Sequence, residues 1–310
     1  MRHLANLAAV LGLESTGRGA SFASMGLWQG WLAVAGILLG GLVLVLDRMA
    51  LVMIRPPKKT HARNIQDLHF TKKEHAFSSL GQALKGWFVE PEKDLGGPVV
   101  VLVHGWGSSH GRMTILAEPL LEAGYPVFLF DVRHHGESPE APFVTARHFR
   151  DDILAAVQEV RAAYPNRPVV LIGHSMGGSA AVLAVAEGAE VDGLVSVAAP
   201  ADLWSVWSDH FDRQGLPGRW MVRLMNPFWR YRAGVPFRTL RPEERVKEVQ
   251  IPFLILHGDR DRNVSVGHAR ILAREAGVEE VVLGGAGHND LLGREILHRE
   301  VLAFMKTVSH

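Results

Sequence analysis

The residues most plainly equipped for chemistry lie in Gly173-His174-Ser175-Met176-Gly177. A serine with glycine two positions away on each side fits a very sharp turn, because a strained backbone there needs small neighbours. Such a turn lifts the serine oxygen clear of the chain. It also aims the first N–H groups of a following helix at any oxyanion formed there. The apolar β-type run Pro168 to Ile172 leads in, and a small-residue helical run from Gly178 to Val185 follows. Strand, G-x-S-x-G and helix in that order predict a nucleophile elbow. A serine nucleophile needs a base, and the base needs a carboxylate behind it. His288 stands in Gly284-Gly285-Ala286-Gly287-His288-Asn289-Asp290, past an apolar run, where it can swing to the serine as general base. Asp261, in His257-Gly258-Asp259-Arg260-Asp261, is the preferred carboxylate. Asp259 lies closer to the strand end and suits the turn itself; Asp202 is a second rival. His104-Gly105-Trp106-Gly107 follows another apolar run, and the Trp106 N–H is the candidate to join that of Met176 in an oxyanion hole.

These loops need a frame. Eight β-type runs are legible: Leu68 to Ala76, Ala83 to Val89, Pro98 to Val103, Pro126 to Phe130, Pro168 to Ile172, Gly193 to Val197, Pro252 to Leu256 and Glu279 to Leu283. Helical patterns alternate with them, over Arg112 to Ala123 (bent at Pro119), Phe149 to Ala163 and Leu291 to Met305. The pattern predicts an α/β fold with a mainly parallel sheet covered on both faces. Ligands of such sheets bind beyond the carboxyl ends of the strands, where the candidate residues fall. Ala201 to Val249 is an insertion holding Trp204, Trp207, Phe211, Trp220, Phe228, Trp229, Tyr231 and Phe237, with arginines interleaved. Those aromatics suit an apolar acyl or aryl pocket, or the packing of a cap onto the sheet.

The amino-terminal part differs in kind. Leu27 to Leu46 carries no charge and is about the 20 residues needed to cross a bilayer. Trp28 and Trp31 stand at one end, where aromatic rings favour the interface. The expected organisation is a tail over 1–26, a transmembrane anchor over 27–54, a linker over 55–64 around Pro56-Pro57-Lys58-Lys59, and a catalytic domain over 65–310 with its insertion at 201–249. Arg48, Arg55, Lys58, Lys59 and Arg63 follow the span, against Arg2 and Arg18 before it, so a single-pass protein with a cytoplasmic catalytic domain is expected. Gly36 and Gly40 have the spacing by which two spans pack, but the sequence sets no oligomeric state.

With 310 residues the chain can bury a large core. A net charge of +1 and the lack of a Lys/Arg block argue against a nucleic-acid partner. There is no cysteine, which excludes disulfides, thiolate zinc sites and a cysteine nucleophile. His134 and His135 are adjacent without a carboxylate cluster, so no metal and no cofactor are expected.

From about residue 65 to its end the chain resembles an α/β-hydrolase of the serine-hydrolase type. The resemblance rests on His104-Gly105-Trp106, Asp131-Val132-Arg133-His134-His135-Gly136-Glu137-Ser138, Gly173-His174-Ser175-Met176-Gly177, His257-Gly258-Asp259-Arg260-Asp261 and Gly287-His288. It implies an eight-stranded, mostly parallel sheet with a small helical cap. It also implies nucleophile Ser175, acid Asp261, base His288 and an oxyanion hole from Trp106 and Met176. In the loop after Phe130, His134 stands where relatives usually carry glycine, which questions that loop's conformation. Gly287-His288-Asn289-Asp290 behind an amino-terminal anchor is also similar to the membrane-anchored Bem46-like branch. The expected function is cleavage of a carboxylic ester or related acyl bond in a small-molecule or lipid substrate. An acyltransferase with the same residues, or a membrane-tethered binding protein on a retired hydrolase fold, are the alternatives.

Overall fold

The computed structural model describes residues 19–58 and 61–308. Residues 1–18 of the expected tail over 1–26, with Arg2 and Arg18, and residues 59 and 60 of the expected linker lie outside the described residues. The chain divides into two compact units, Met1–Met49 and Ala50–His310. A continuous helix, α1, runs over Gly19–Met53. Its stretch Trp28–Met53 has a mean hydropathy of 2.1 and is long enough to cross a membrane. Large apolar side chains stand open along it, Trp31 at 72% and Ile37 at 74% exposure.

The second unit is built on one eight-stranded sheet. Its strands are β1 (Thr71–Ser79), β2 (Gln82–Glu90), β3 (Val99–Val103), β4 (Val127–Phe130), β5 (Val169–His174), β6 (Gly193–Val197), β7 (Phe253–Gly258) and β8 (Glu280–Leu283), in the spatial order β1-β2-β4-β3-β5-β6-β7-β8. β1 and β2 pair antiparallel, β2 meets β4 antiparallel, and every other pairing is parallel. All five residues of β3 and all six of β5 are buried, as expected of Val/Leu-rich central strands covered on both faces. One apolar layer packs on each face. The covering helices are α2 (His110–Glu122), α3 (Ala146–Ala163), α4 (Met176–Ala186), α8 (Gly267–Ala276) and α9 (Glu295–Val308), numbered with the insertion's helices α5 (Leu203–Asp212), α6 (Gly218–Ala233) and α7 (Pro242–Arg245) between them.

Two elements begin later than their apolar pattern suggests. β1 starts at Thr71, not Leu68, because Asn64 accepts from Gln66 N–H and closes a 3₁₀ turn that buries Leu68. α9 starts at Glu295, not Leu291, because Asp290 accepts from the Gly287 N–H (2.9 Å) and pairs with Arg294, which turns the chain once more. His134 takes the left-handed conformation (φ +61°) that the resemblance allots to glycine there. Its Nδ1 accepts from the Ala141 N–H at 3.1 Å, which ties down the unusual backbone.

Candidate active site

Ser175 joins β5 to α4 with φ +55° and ψ −123°, a strained conformation for a residue with a side chain. The flanking glycines leave no alternative. A Cβ on Gly173 would lie 2.4 Å from the Gly177 carbonyl oxygen, and one on Gly177 would lie 2.5 Å from that of His104. The loop after β3 reaches the same point: a Cβ on Gly105 would meet Ser175 Cβ at 3.0 Å. Backbone crowding therefore brings Trp106 and Met176 to the serine. Met176 opens α4, so its N–H has no intrahelical acceptor.

His288 comes from the loop after β8. Ser175 Oγ–H donates to its Nε2 at 2.9 Å, and its Nδ1–H donates to Asp261 Oδ2 at 2.6 Å. Asp261 Oδ1 accepts from the N–H groups of Asn263 (2.8 Å) and Val264 (2.9 Å). Burial by itself would raise the Asp261 pKa. The nearby His257 ring and the hydrogen bonds from His288 and Val264 outweigh it and hold the carboxyl below the usual range. The line Asp261–His288–Ser175 can thus take a proton from the serine oxygen and stabilise the resulting imidazolium.

The rival carboxylates are engaged elsewhere. Asp259 accepts from the Gly285 N–H at 2.6 Å and serves its turn. Asp202 caps α5, accepting from the Trp204 N–H at 2.9 Å. His134 and His135 make separate local bonds, His135 donating from Nδ1 to the Arg133 carbonyl at 2.9 Å. Among the described residues no group of three or more His, Asp and Glu is placed to hold a metal ion.

His174 contributes more than its position beside the serine suggests. Its buried Nε2–H donates to the His288 carbonyl at 2.9 Å and so holds the loop that presents the imidazole. Burial, with His288 nearby, pushes the His174 pKa down to about 3. On the other side of the loop, His257 Nε2–H donates to the Val264 carbonyl at 2.9 Å and lies 3.5 Å from Asp261 Oδ2.

A cavity of about 420 Å³ opens onto Ser175 and His288. Trp204, Trp207 and Trp229 from the insertion line it, with Leu203, Val144 and Ile54. The aromatics of the insertion divide between two duties: these three face the cavity, whereas Trp220 and Tyr231 are 63% and 85% exposed. The side chain of Phe237 lies outside the described residues. Arg213 also reaches the cavity lining, while Arg219, Arg223 and Arg230 stand on the outside of α6. Ile54 and Val144 carry no motif and were not legible as pocket residues; ordinary apolar side chains far from the loops give no signal.

A strained serine elbow at the carboxyl edge of this sheet defines the α/β-hydrolase fold with a serine site. The family model for serine aminopeptidase, S33, matches residues 97–233. Human monoglyceride lipase is 35% identical over 136 residues, which are 43% of this chain and 44% of that protein. The matched stretch thus spans less than half the length of that relative. The monoacylglycerol lipase of Mycolicibacterium smegmatis is 26% identical over 253 residues, 69% of this chain and 88% of that one. Among solved structures, a Pyrococcus furiosus esterase superposes with a TM-score of 0.67 at 24% identity, over 83% of this chain and 98% of that one. The chain has the α/β-hydrolase fold and is similar to serine hydrolases built on it.

Proposed function

We propose that the protein is a membrane-anchored serine esterase acting on the carboxylic ester of an apolar acyl chain, with monoacylglycerol-like lipids as the substrate class. The observation that carries this reading is the unbroken hydrogen-bonded line Asp261–His288–Ser175 beneath a cavity walled by tryptophan and aliphatic side chains. The names of the two lipase relatives support the choice of ester. In this reading Ser175 Oγ attacks the ester carbonyl carbon while His288 Nε2 takes its proton, and Asp261 holds the imidazolium. The N–H groups of Met176 and Trp106 take the oxyanion. His288 then hands the proton to the departing alcohol, which leaves an acyl-serine. Water, deprotonated by the same imidazole, releases the acid and restores the serine. The cavity takes the acyl chain, where each buried methylene contributes about 0.8 kcal/mol.

The reading continues to the membrane. In it helix α1 is the single-pass anchor, the excess of Arg and Lys after the span supports a cytoplasmic catalytic unit, and the substrate is met at the bilayer. The test is hydrolysis of a monoacylglycerol series by the full-length protein in detergent, followed as glycerol and fatty acid. The expected result is equimolar release that Ser175→Ala abolishes. Acyl product appearing only when an added alcohol is present would point to the transferase. No turnover by folded protein would favour the binding-protein reading.

A further inference from the structure

The residues joining the apolar helix to the sheet are packed, not free. Ala50 is fully buried, and its carbonyl accepts from Trp229 Nε1–H at 3.0 Å. Ile54 is 6% exposed, and its carbonyl accepts from the Val144 N–H at 2.7 Å. Trp229, Val144 and Ile54 line the same cavity as Ser175. Further along, Pro57 lies against the loop that carries Trp106: a Cβ on Gly107 would sit 3.3 Å from Pro57 Cγ. His61 Nε2 then reaches Ser108 Oγ at 3.0 Å. One short segment is therefore fastened in turn to the insertion, to the stretch before α3 and to the loop beside the serine.

The place of Ile54 in the cavity follows from a run of indole rings. Trp106, next to Ser175, meets Trp207 with ring centroids 6.4 Å apart, and Trp207 meets Trp229 at 6.1 Å. Trp229 in turn holds Ala50. The segment thus closes the cavity two ring contacts away from the reacting oxygen, where the tail of an acyl chain would end.

We propose that residues 50–57 are a wall of the acyl cavity and that Ile54 determines which acyl chain length the site accepts. This rests on the esterase reading above. A difference of one methylene in an apolar pocket is worth about tenfold or more in discrimination, so changing the volume at Ile54 should be read directly in the chain-length profile.

The experiment uses the full chain in detergent micelles, as wild type, Ile54→Ala and Ile54→Trp. The substrates are 4-nitrophenyl esters from butanoate to hexadecanoate. Ile54→Trp is expected to lower kcat/KM for dodecanoate relative to butanoate by about tenfold or more. Ile54→Ala is expected to move the optimum to longer chains. An unchanged profile in both variants overturns the proposal. Fluorophosphonate labelling of Ser175, run alongside, reports on the esterase reading alone. A second readout needs no turnover: binding of dansylaminoundecanoic acid to Ser175→Ala protein, with and without Ile54→Trp. About tenfold weaker binding supports the wall; equal affinity overturns it even where no ester is cleaved. If Ile54→Trp fails to fold, Ile54→Ala carries both readouts, since it only removes volume.

Discussion

On the sheet side of the cavity the backbone leaves no room for side chains, whereas on the cap side the side chains are the wall. Around Ser175, a methyl on Gly173, Gly177 or Gly105 would stand 2.4 to 3.0 Å from its neighbours. Across the cavity, the rings of Trp204 and Trp207 each meet that of Trp229 with centroids 6.1 Å apart. The first arrangement fixes where atoms react, because main-chain positions cannot relax past one another. The second fixes a volume, which other side chains of similar size can fill. In the proposed reading chemistry and substrate choice are thereby separated, and each can change without the other.

The sharpest way to break that separation is to remove a reacting group and ask whether the acyl site survives. His288→Ala should lower kcat by about 10⁴-fold or more in ester hydrolysis, yet leave binding of dansylaminoundecanoic acid within about twofold. Loss of binding in parallel would show that the two walls are coupled.

Changes of side-chain volume should then be felt unequally. Gly177→Ala, forced against the His104 carbonyl, should cost about 3 kcal/mol in urea unfolding. Trp207→Phe, on the cap side, should cost about 1 kcal/mol while shifting the chain-length profile. Equal costs would contradict the contrast.

The sheet side should also be the more sensitive to acid. His174 is buried with its pKa pushed down to about 3, against 6.5 for an unperturbed imidazole. The unfolded chain therefore binds a proton there that the folded chain refuses, so stability falls as pH drops below 6.5. The loss attributable to His174 should reach roughly 2 kcal/mol by pH 5. His174→Gln keeps an N–H donor for the His288 carbonyl and cannot be protonated. Its stability should be nearly flat over that window apart from the remaining histidines, as read by urea midpoints at pH 7, 6 and 5. The smallest effect belongs to the cap's own start: Asp202→Ala removes the hydrogen bond to the Trp204 N–H and should cost about 0.5 kcal/mol without changing kcat.

The same contrast explains what could be read from the sequence. A backbone-crowded site leaves its mark in residue types, since only glycine fits at 173 and 177, and the loops bearing Asp261 and His288 follow strands that were legible from their apolar runs. The aromatic wall left a weaker mark. Eight aromatics in the insertion announced apolar surface, but composition could not say that Trp229 turns inward while Tyr231, two residues on, is 85% exposed. Residues 50–57 left none. Pro56-Pro57-Lys58-Lys59 has the composition of a linker, and the bond that fastens Ala50 goes to Trp229, 179 residues away. The second compact unit starts at Ala50.

The central claim is that Ser175 is an activated nucleophile held by His288. Its most direct measurement is fluorophosphonate labelling of membranes expressing the full-length protein, with the modified residue located by peptide mass spectrometry. The account predicts a single adduct on Ser175 in the wild type, none in Ser175→Ala, and labelling slowed by about a thousandfold or more in His288→Ala. Folded wild-type protein that resists the probe, or an adduct on another residue, would contradict it.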